Sequence, residues 1–359
     1  MGDRPARTVT GRRVSPAPAA TVATVGEWHD GAAWGAFVDS APDSTVMHRW
    51  AWRDAIARAY GHRSVHLAAT AGGELRGVLP LTLIRSRLFG RSLVSMPFMD
   101  YGGVCALDDG VERALVTAAL DLARSERAKL DLRHMGDHAV DLPVSLEKVT
   151  MVLELGSTED ETWRGLPSER RNRIRKGQRA GLTAQVGGEE LLPEFHKVFA
   201  ANMRDLGSPV HAVRFFHEVL AFLPDRAWVL VVRSGPVPVA GAVMLAHHGT
   251  LSIPWVSSLR SSRALCAGQF LYWEAMRFAI SRGHRVLDFG RSSKGSTTYE
   301  SKRQWGAEPV QLYWHYYPET APPPAETADR MEWAAKLWRR MPLPLANALG
   351  PSLRRTISN

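Results

Sequence analysis

The run Gly290-Arg291-Ser292-Ser293-Lys294-Gly295-Ser296-Thr297-Thr298 collects the donors that an oxyanion or a phosphate needs. Glycines at 290 and 295 let the backbone turn its amides inward, the hydroxyls add donors, and Arg291 and Lys294 add charge. Directly downstream, Tyr299-Glu300-Ser301-Lys302-Arg303-Gln304-Trp305-Gly306, if helical, sets Tyr299, Lys302 and Arg303 on neighbouring faces beside that loop. Taken alone, this composition fits an anion cradle and an ordinary loop equally well.

A second concentration of chemistry is Arg170-Arg171-Asn172-Arg173-Ile174-Arg175-Lys176-Gly177-Gln178-Arg179. Ser168 reads as its N-cap, Glu169 as a first-turn acid and Gly181 as its stop, so a helix is predicted over 168–181. Arg171, Arg175 and Arg179 follow one another at one-turn spacing, where like charges repel unless an anion lies between them. Arg170, Arg171, Arg173, Arg175, Lys176 and Arg179 therefore form a candidate anion-binding set, with a solvated surface helix as the alternative. In a third segment, Ser95-Met96-Pro97-Phe98-Met99-Asp100-Tyr101-Gly102-Gly103, Asp100 is suited to an amine or hydroxyl and the paired glycines to close approach of a ligand. A tight turn capped by Asp100 explains the same spacing.

Charge follows these segments. The net +9 of the 359 residues resolves into basic stretches at 1–25, 169–179 and 330–359, with a slightly acidic remainder, which points to located anionic partners. Cys105 and Cys266 stand far apart without a CxxC, which excludes a disulfide framework and a cysteine-zinc site and suits a reducing cytosol. His247-His248 and the His211/His217 pair lack zinc-ligand spacing, so no metal site is expected. No run approaches the roughly 18 apolar residues of a membrane span, and residues 1–24 read as a flexible arm, since no apolar core follows Arg12-Arg13.

The elements that must position these residues occur twice. Strands Val65–Ala69 and Val78–Ile84, a helix near Val111–Arg127 and a strand at Leu130–Arg133 recur as Trp228–Val232, Val239–Ala246, Leu251–Val256, a helix near Gly268–Arg282 and Val286–Phe289. Helical segments precede each set, at His48–Ala59 in the first and at Leu191–Leu206 and Val213–Phe222 in the second. The expected fold class is α/β (α+β), a duplicated mixed layer with a basic tail, with one large mixed domain as the alternative. The expected divisions are an arm (1–25), two domains (26–155 and 156–320) and the tail (321–359). In that tail Trp333, Leu337 and Trp338 share a predicted helical face beside Lys336, Arg339 and Arg340, a pattern suited to an anionic membrane surface or to docking on the body.

Five stretches carry a resemblance: MPFMDYGG (96–103), LPSERRNRIRKGQRAGL (166–182), NMRDLGSPV (202–210), DFGRSSKGSTTYESKRQWGAEP (288–309) and WRRMPLPLANALGP (338–351). In these the chain resembles the FemAB family of GNAT-like acyltransferases, and most of all the FemAB-related branch found with bacterial exopolysaccharide and exosortase systems. The resemblance implies two tandem GNAT-like domains. It implies transfer of an amino acid from aminoacyl-tRNA to the free amine of a cell-envelope precursor, or of a small metabolite, with the donor in the second domain and nothing tightly bound as cofactor. Lys302, in Tyr-x-x-Lys, carries over as the main catalytic candidate.

Arg291, Ser292 and the amides near Gly295 would hold donor phosphate, together with Gly290, Lys294 and Arg303, and Tyr299 would lie at the acyl end. Asp100 and Asp288 are candidates to orient or deprotonate the amine, and Tyr101, Asn202, Arg204 and Trp305 are candidate substrate contacts. With no long coiled-coil insertion, tRNA contact would rest on helix 168–181. The acyl-CoA signature R/Q-x-x-G-x-G/A is broken at Arg263-Ala-Leu-Cys-Ala-Gly. Transfer from acyl-CoA to an amino sugar or small amine is the alternative, and a non-catalytic polysaccharide assembly factor is the second. The acceptor is expected to be lipid- or nucleotide-linked, and the location cytoplasmic with peripheral contact at the inner membrane face.

Overall fold

The computed structural model describes residues 23–86, 89–138, 140–318 and 325–358. The arm expected over 1–25 falls outside the described residues as far as position 22, and Thr24–Glu27 forms the first strand, β1. The first half continues with α1 (Gly31–Ser40), α2 (Ala51–Tyr60), β2 (Arg63–Ala71), β3 (Glu74–Ser86), β4 (Gly90–Val94), the two-residue β5 (Cys105–Ala106), α3 (Asp109–Ser125), β6 (Lys129–Met135), the short β7 (Val144–Ser145) and β8 (Lys148–Glu154). Two connecting helices, α4 (Glu159–Gly165) and α5 (Ser168–Arg179), lead into the second half. There β9 (Leu182–Gly187), α6 (Leu192–Leu206), α7 (Val213–Phe222), β10 (Ala227–Ser234), β11 (Val237–His247), β12 (Thr250–Ser258), α8 (Ala267–Ser281) and β13 (Val286–Ser293) repeat the order of the first. The chain ends with α9 (Thr297–Arg303), β14 (Glu308–Tyr317) and the tail helices α10 (Ala325–Arg339) and α11 (Leu343–Arg354).

Local sequence accounts for these elements. Gly72 and Gly73 both take positive φ in the β2–β3 turn, which suits a tight hairpin. Helix α3 starts at Asp108, whose side chain accepts from the Val111 amide, and buries Leu115, Val116, Ala119 and Ala123 along one stripe. Strand β11 is buried at every position after Val237, because α6 covers one of its faces and α8 the other, each with its own core.

The strands form one sheet whose order, β1-β2-β3-β4-β6-β14-β8-β13-β12-β11-β10-β9, is nearly palindromic about the β14–β8 pair. Each half's last strand has crossed over. Strand β8 pairs with β13 of the second half, and β14 pairs with β6 of the first. Each half also has a fork. Strands β4 and β6 run parallel only over Ser92–Val94 against Lys129–Asp131, and β12 and β13 only over Thr250–Ser252 against Val286–Asp288, before they part. The largest core draws on both halves, with Trp52, Phe98 and Tyr101 packed with Phe195, Phe215, Phe216 and Trp255.

Three expectations change. Ser168 is the first residue of α5 rather than its cap: Pro167 flanks the helix and no side chain bonds its first turn. The cradle expected as a loop from Gly290 is strand as far as Ser293, because Gly290 forms a bulge instead of ending β13. In the tail, Trp333 and Leu337 face solvent while Trp338 is buried, so the three do not share one face. No helix among the described residues is long and apolar enough to cross a membrane.

Candidate active site

Strand β13 gains one residue against β8 between Asp288 and Arg291, and Gly290 takes that step at φ +76°. A bulge turns its carbonyls out of the ladder, and here Lys302 captures them. Its Nζ donates to the oxygens of Gly290 at 2.8 Å and Arg291 at 2.9 Å. Lys302 is buried at the last turn of α9, a helix capped by Ser296, whose Oγ accepts from the Tyr299 amide. Burial pushes the ammonium down to about 8, against the opposing pull of Asp100 and Asp288. Two of its three protons are committed to carbonyls.

Asp288 lies at the crotch of the β12–β13 fork, with both oxygens occupied. Thr150 Oγ1 and the Gly290 amide donate to Oδ1 at 2.5 and 2.8 Å, and the Tyr101 hydroxyl donates to Oδ2 at 2.6 Å. Burial nevertheless raises its pKa, and the Tyr101 phenol is raised too, by burial first and then by the neighbouring Asp288. Tyr101 therefore reaches from the first half into the fork of the second, 3.5 Å from Ser252 Oγ. The segment that delivers it is bent through positive φ at Met96 and Phe98, rare for such side chains. Asp100, beside it, accepts from the Arg291 amide at 2.9 Å and lies 3.4 Å from the Arg291 guanidinium.

Above this network is a cleft of about 470 Å³ lined by Lys148, Arg291, Ser292, Ser293, Ser296, Thr298 and Trp314. Two cations and four hydroxyl side chains suit an anionic ligand. The Ser292 hydroxyl is buried without a partner, and Lys148 donates to Ser293 Oγ at 2.7 Å. The Arg291 guanidinium carbon is 5.0 Å from the centroid of the Trp314 ring. Reasoning from sequence missed Lys148, Thr150 and Trp314. They come from the exchanged strands β8 and β14, and nothing local marked β8 as the neighbour of β13 or β14 as the neighbour of β8.

Of the other expected site residues, Lys294, Gly295 and Arg303 are exposed at the rim, and Tyr299 is half-buried against the second-half core. Trp305 is core, packed against Tyr272 and Phe289. Asn202 bonds Ser257 at the far end of β12, and Arg204 pairs with Asp205 and bonds the Met341 carbonyl of the tail. Neither shares a hydrogen bond with the Lys302 cluster.

In α5, Arg170 is buried against Gln304 and Trp305, and Arg171 binds the carbonyls that end α4. Arg173 pairs with Glu169 and Arg175 lies over Trp163, while Lys176 and Arg179 are exposed. Gly177 brings α5 against α8: a Cβ there would lie 3.1 Å from Phe270 Cβ and 3.4 Å from the Leu265 carbonyl.

Residues 168–301 match the family profile of the acetyltransferase (GNAT) domain. This stretch, in the second half of the chain, is similar to a GNAT acetyltransferase domain. It supplies β12, α8 and β13, and so the forked strands of the site. FemX superposes with a TM-score of 0.64 at 15% identity, over 80% of this chain and 96% of that one. The C-terminal domain of a putative lysylphosphatidylglycerol synthetase from Agrobacterium fabrum gives 0.53 at 13%, over 84% and 95%. A conserved protein of unknown function from Bacteroides thetaiotaomicron gives 0.58 at 7%, over 82% and 99%. No curated protein matches the chain in sequence. The fold is thus the GNAT type in tandem, resembles FemX, and carries an acyltransferase domain.

Proposed function

We propose that the cleft beside Lys302 transfers an aminoacyl group from an activated ester, with aminoacyl-tRNA as donor, to the amine of an anionic cell-envelope precursor. The amine nitrogen attacks the carbonyl carbon, the carbon–oxygen bond to the ribose breaks, and the proton lost by the amine ends on the departing hydroxyl. Such a reaction needs placement within about 3–3.5 Å and a stabilised oxyanion, not a covalent intermediate. The observation that carries this reading is the buried Lys302 ammonium. It is pinned by two carbonyls at the bulge, beside a cleft lined by Arg291, Lys148 and unsatisfied Ser292.

In this reading Lys302 stabilises the oxyanion or the leaving hydroxyl, and Arg291 and Lys148 hold phosphate or carboxylate. Asp288, with its oxygens occupied, and Asp100, tied to Arg291, position these groups; the base for the amine then comes from substrate or solvent. The exposed cations of α5, Lys176 and Arg179 with Arg173 and Arg175, provide the contact for the tRNA backbone. The resemblance to FemX supports an aminoacyl donor.

One observation favours acyl-CoA instead. Cys266 holds φ +58°, so the turn before α8 keeps the left-handed residue that the broken acyl-CoA signature would place at a glycine. A transfer assay separates the two. Product formed from charged tRNA and abolished by ribonuclease supports the proposal, whereas ribonuclease-resistant transfer with release of free CoA replaces it with the second reading.

A further inference from the structure

The tail helices are turned the wrong way for a surface that faces water. Helix α11 faces the body with its smallest residues: Ala346 and Gly350 are buried, and a Cβ on Gly350 would lie 2.8 Å from Val210 Cγ1. Its leucines at one-turn spacing point outward, Leu345 at 48% and Leu349 at 44% exposure. Helix α10 repeats the pattern in part, since it buries Trp338 yet leaves other large apolar residues outside. Ala335 touches Gly207, while Trp333 and Leu337, again one turn apart, are 67% and 53% exposed.

Ordinary amphipathic helices bury large apolar residues and expose small or polar ones, so this inversion leaves a stripe that water penalises. The tail is nonetheless firmly seated. Trp338 is buried, Arg204 holds the Met341 carbonyl, His62 contacts the Arg355 carbonyl at 2.7 Å, and the Phe98 amide donates to the Ser358 carbonyl at 2.9 Å. The outward leucines and tryptophan therefore belong to a fixed surface.

The charge beside the stripe identifies what covers it. From Trp333 to Ser358 the chain has five basic residues and no acidic one. Arg354 turns inward to His211, while Lys336, Arg339, Arg340 and Arg355 are exposed, with Lys336 paired to Glu332. Two copies meeting through this face would oppose like charges, whereas an anionic bilayer complements them and accepts the apolar stripe between its headgroups. We infer that α10 and α11 form a preformed, rigid platform, with Trp333, Leu337, Leu345 and Leu349 at its centre, that seats the protein on an anionic lipid surface. The inference does not depend on the donor or acceptor proposed above.

Co-sedimentation of the intact chain with vesicles of phosphatidylglycerol and phosphatidylcholine, against phosphatidylcholine alone, tests it. Binding is expected to the anionic vesicles only, with release at about 0.5 M salt. The combined variant Trp333→Ser, Leu337→Ser, Leu345→Ser, Leu349→Ser should lower partitioning at least about tenfold with its melting temperature and its transfer to a soluble acceptor unchanged. Arg339→Glu with Arg340→Glu should weaken binding on its own. Wild-type protein that stays in solution with anionic vesicles, or either variant binding as wild type does, overturns the inference. So does a dimer seen by sedimentation velocity that the serine variant dissolves, which would place a second copy on this face.

Discussion

Lys302 connects the site's geometry to a pH dependence with two opposite signs. Its folded pKa lies near 8 against an ordinary 10.5, so the fold disfavours the charged form. Above about pH 8 the folded protein binds fewer protons at this site than the unfolded chain, so its contribution to stability rises between about 8 and 10.5. Activity should move the other way. The two carbonyls and the oxyanion all need an N–H donor, so transfer is expected to fall as pH rises through about 8, which a profile of kcat on a non-titrating acceptor measures. A rate that rises through that range would instead make the neutral amine the working form. Lys302→Gln should lose about 10²–10³ in kcat, the scale for an oxyanion donor, with a smaller change in KM. Tyr101→Phe tests the partner across the halves. It takes one donor from buried Asp288 and should cost about 1–3 kcal/mol in urea unfolding. An unchanged midpoint would show that the hydroxyl contributes nothing to joining the halves.

Among the elements, the bulge in β13 is open to a test by a single substitution. Gly290→Ala puts a Cβ at φ +76° and 3.2 Å from Asp100 Oδ2, in a conformation that costs an L-residue about 1–2 kcal/mol. Because Lys302 binds the carbonyls of 290 and 291, the same change should lower kcat as well as stability; a variant that loses stability yet keeps full kcat would separate the bulge from the chemistry. This bulge also shows what sequence could and could not deliver. Both hairpins, α3, α6, α7 and α8 were legible, since each carries its own period and its own turn residues, whereas Lys302 was singled out by the resemblance in Tyr-x-x-Lys and not by any period. Gly290 was legible as a special backbone position but not as a bulge, because a glycine marks φ without saying whether the strand resumes. Lys148 and Thr150 were invisible as site residues. Periodicity reports which face of β8 is buried, not that the strand will pair with β13 more than a hundred residues later. The arginines of α5 were read by charge alone, and burial of Arg170 against Trp305 depends on a tertiary neighbour the run does not name.

At the scale of the molecule, the crossed final strands predict how the protein comes apart. A chain of this length with two repeated layers would ordinarily unfold in two steps, one for each domain. Here the partners of β8, β13 and β14, both lie after residue 285, while β14 bonds β6 over Leu312–Tyr317 against Leu130–Met135. Unfolding either half alone would strip a ladder from the other and expose the core in which Phe98 and Tyr101 meet Phe215 and Trp255. The expected calorimetric result is one transition, with van't Hoff and calorimetric enthalpies in agreement; two resolved transitions would show that the exchange does not couple the halves. A chain cut between β8 and α4 gives a sharper test. Each fragment alone carries a strand whose partners are on the other, so neither should yield a cooperative melt when expressed singly, and co-expression should restore both the single transition and transfer activity. Restoration of activity is the decisive readout, since the site needs Tyr101, Lys148 and Thr150 from the first fragment and Asp288, Arg291 and Lys302 from the second.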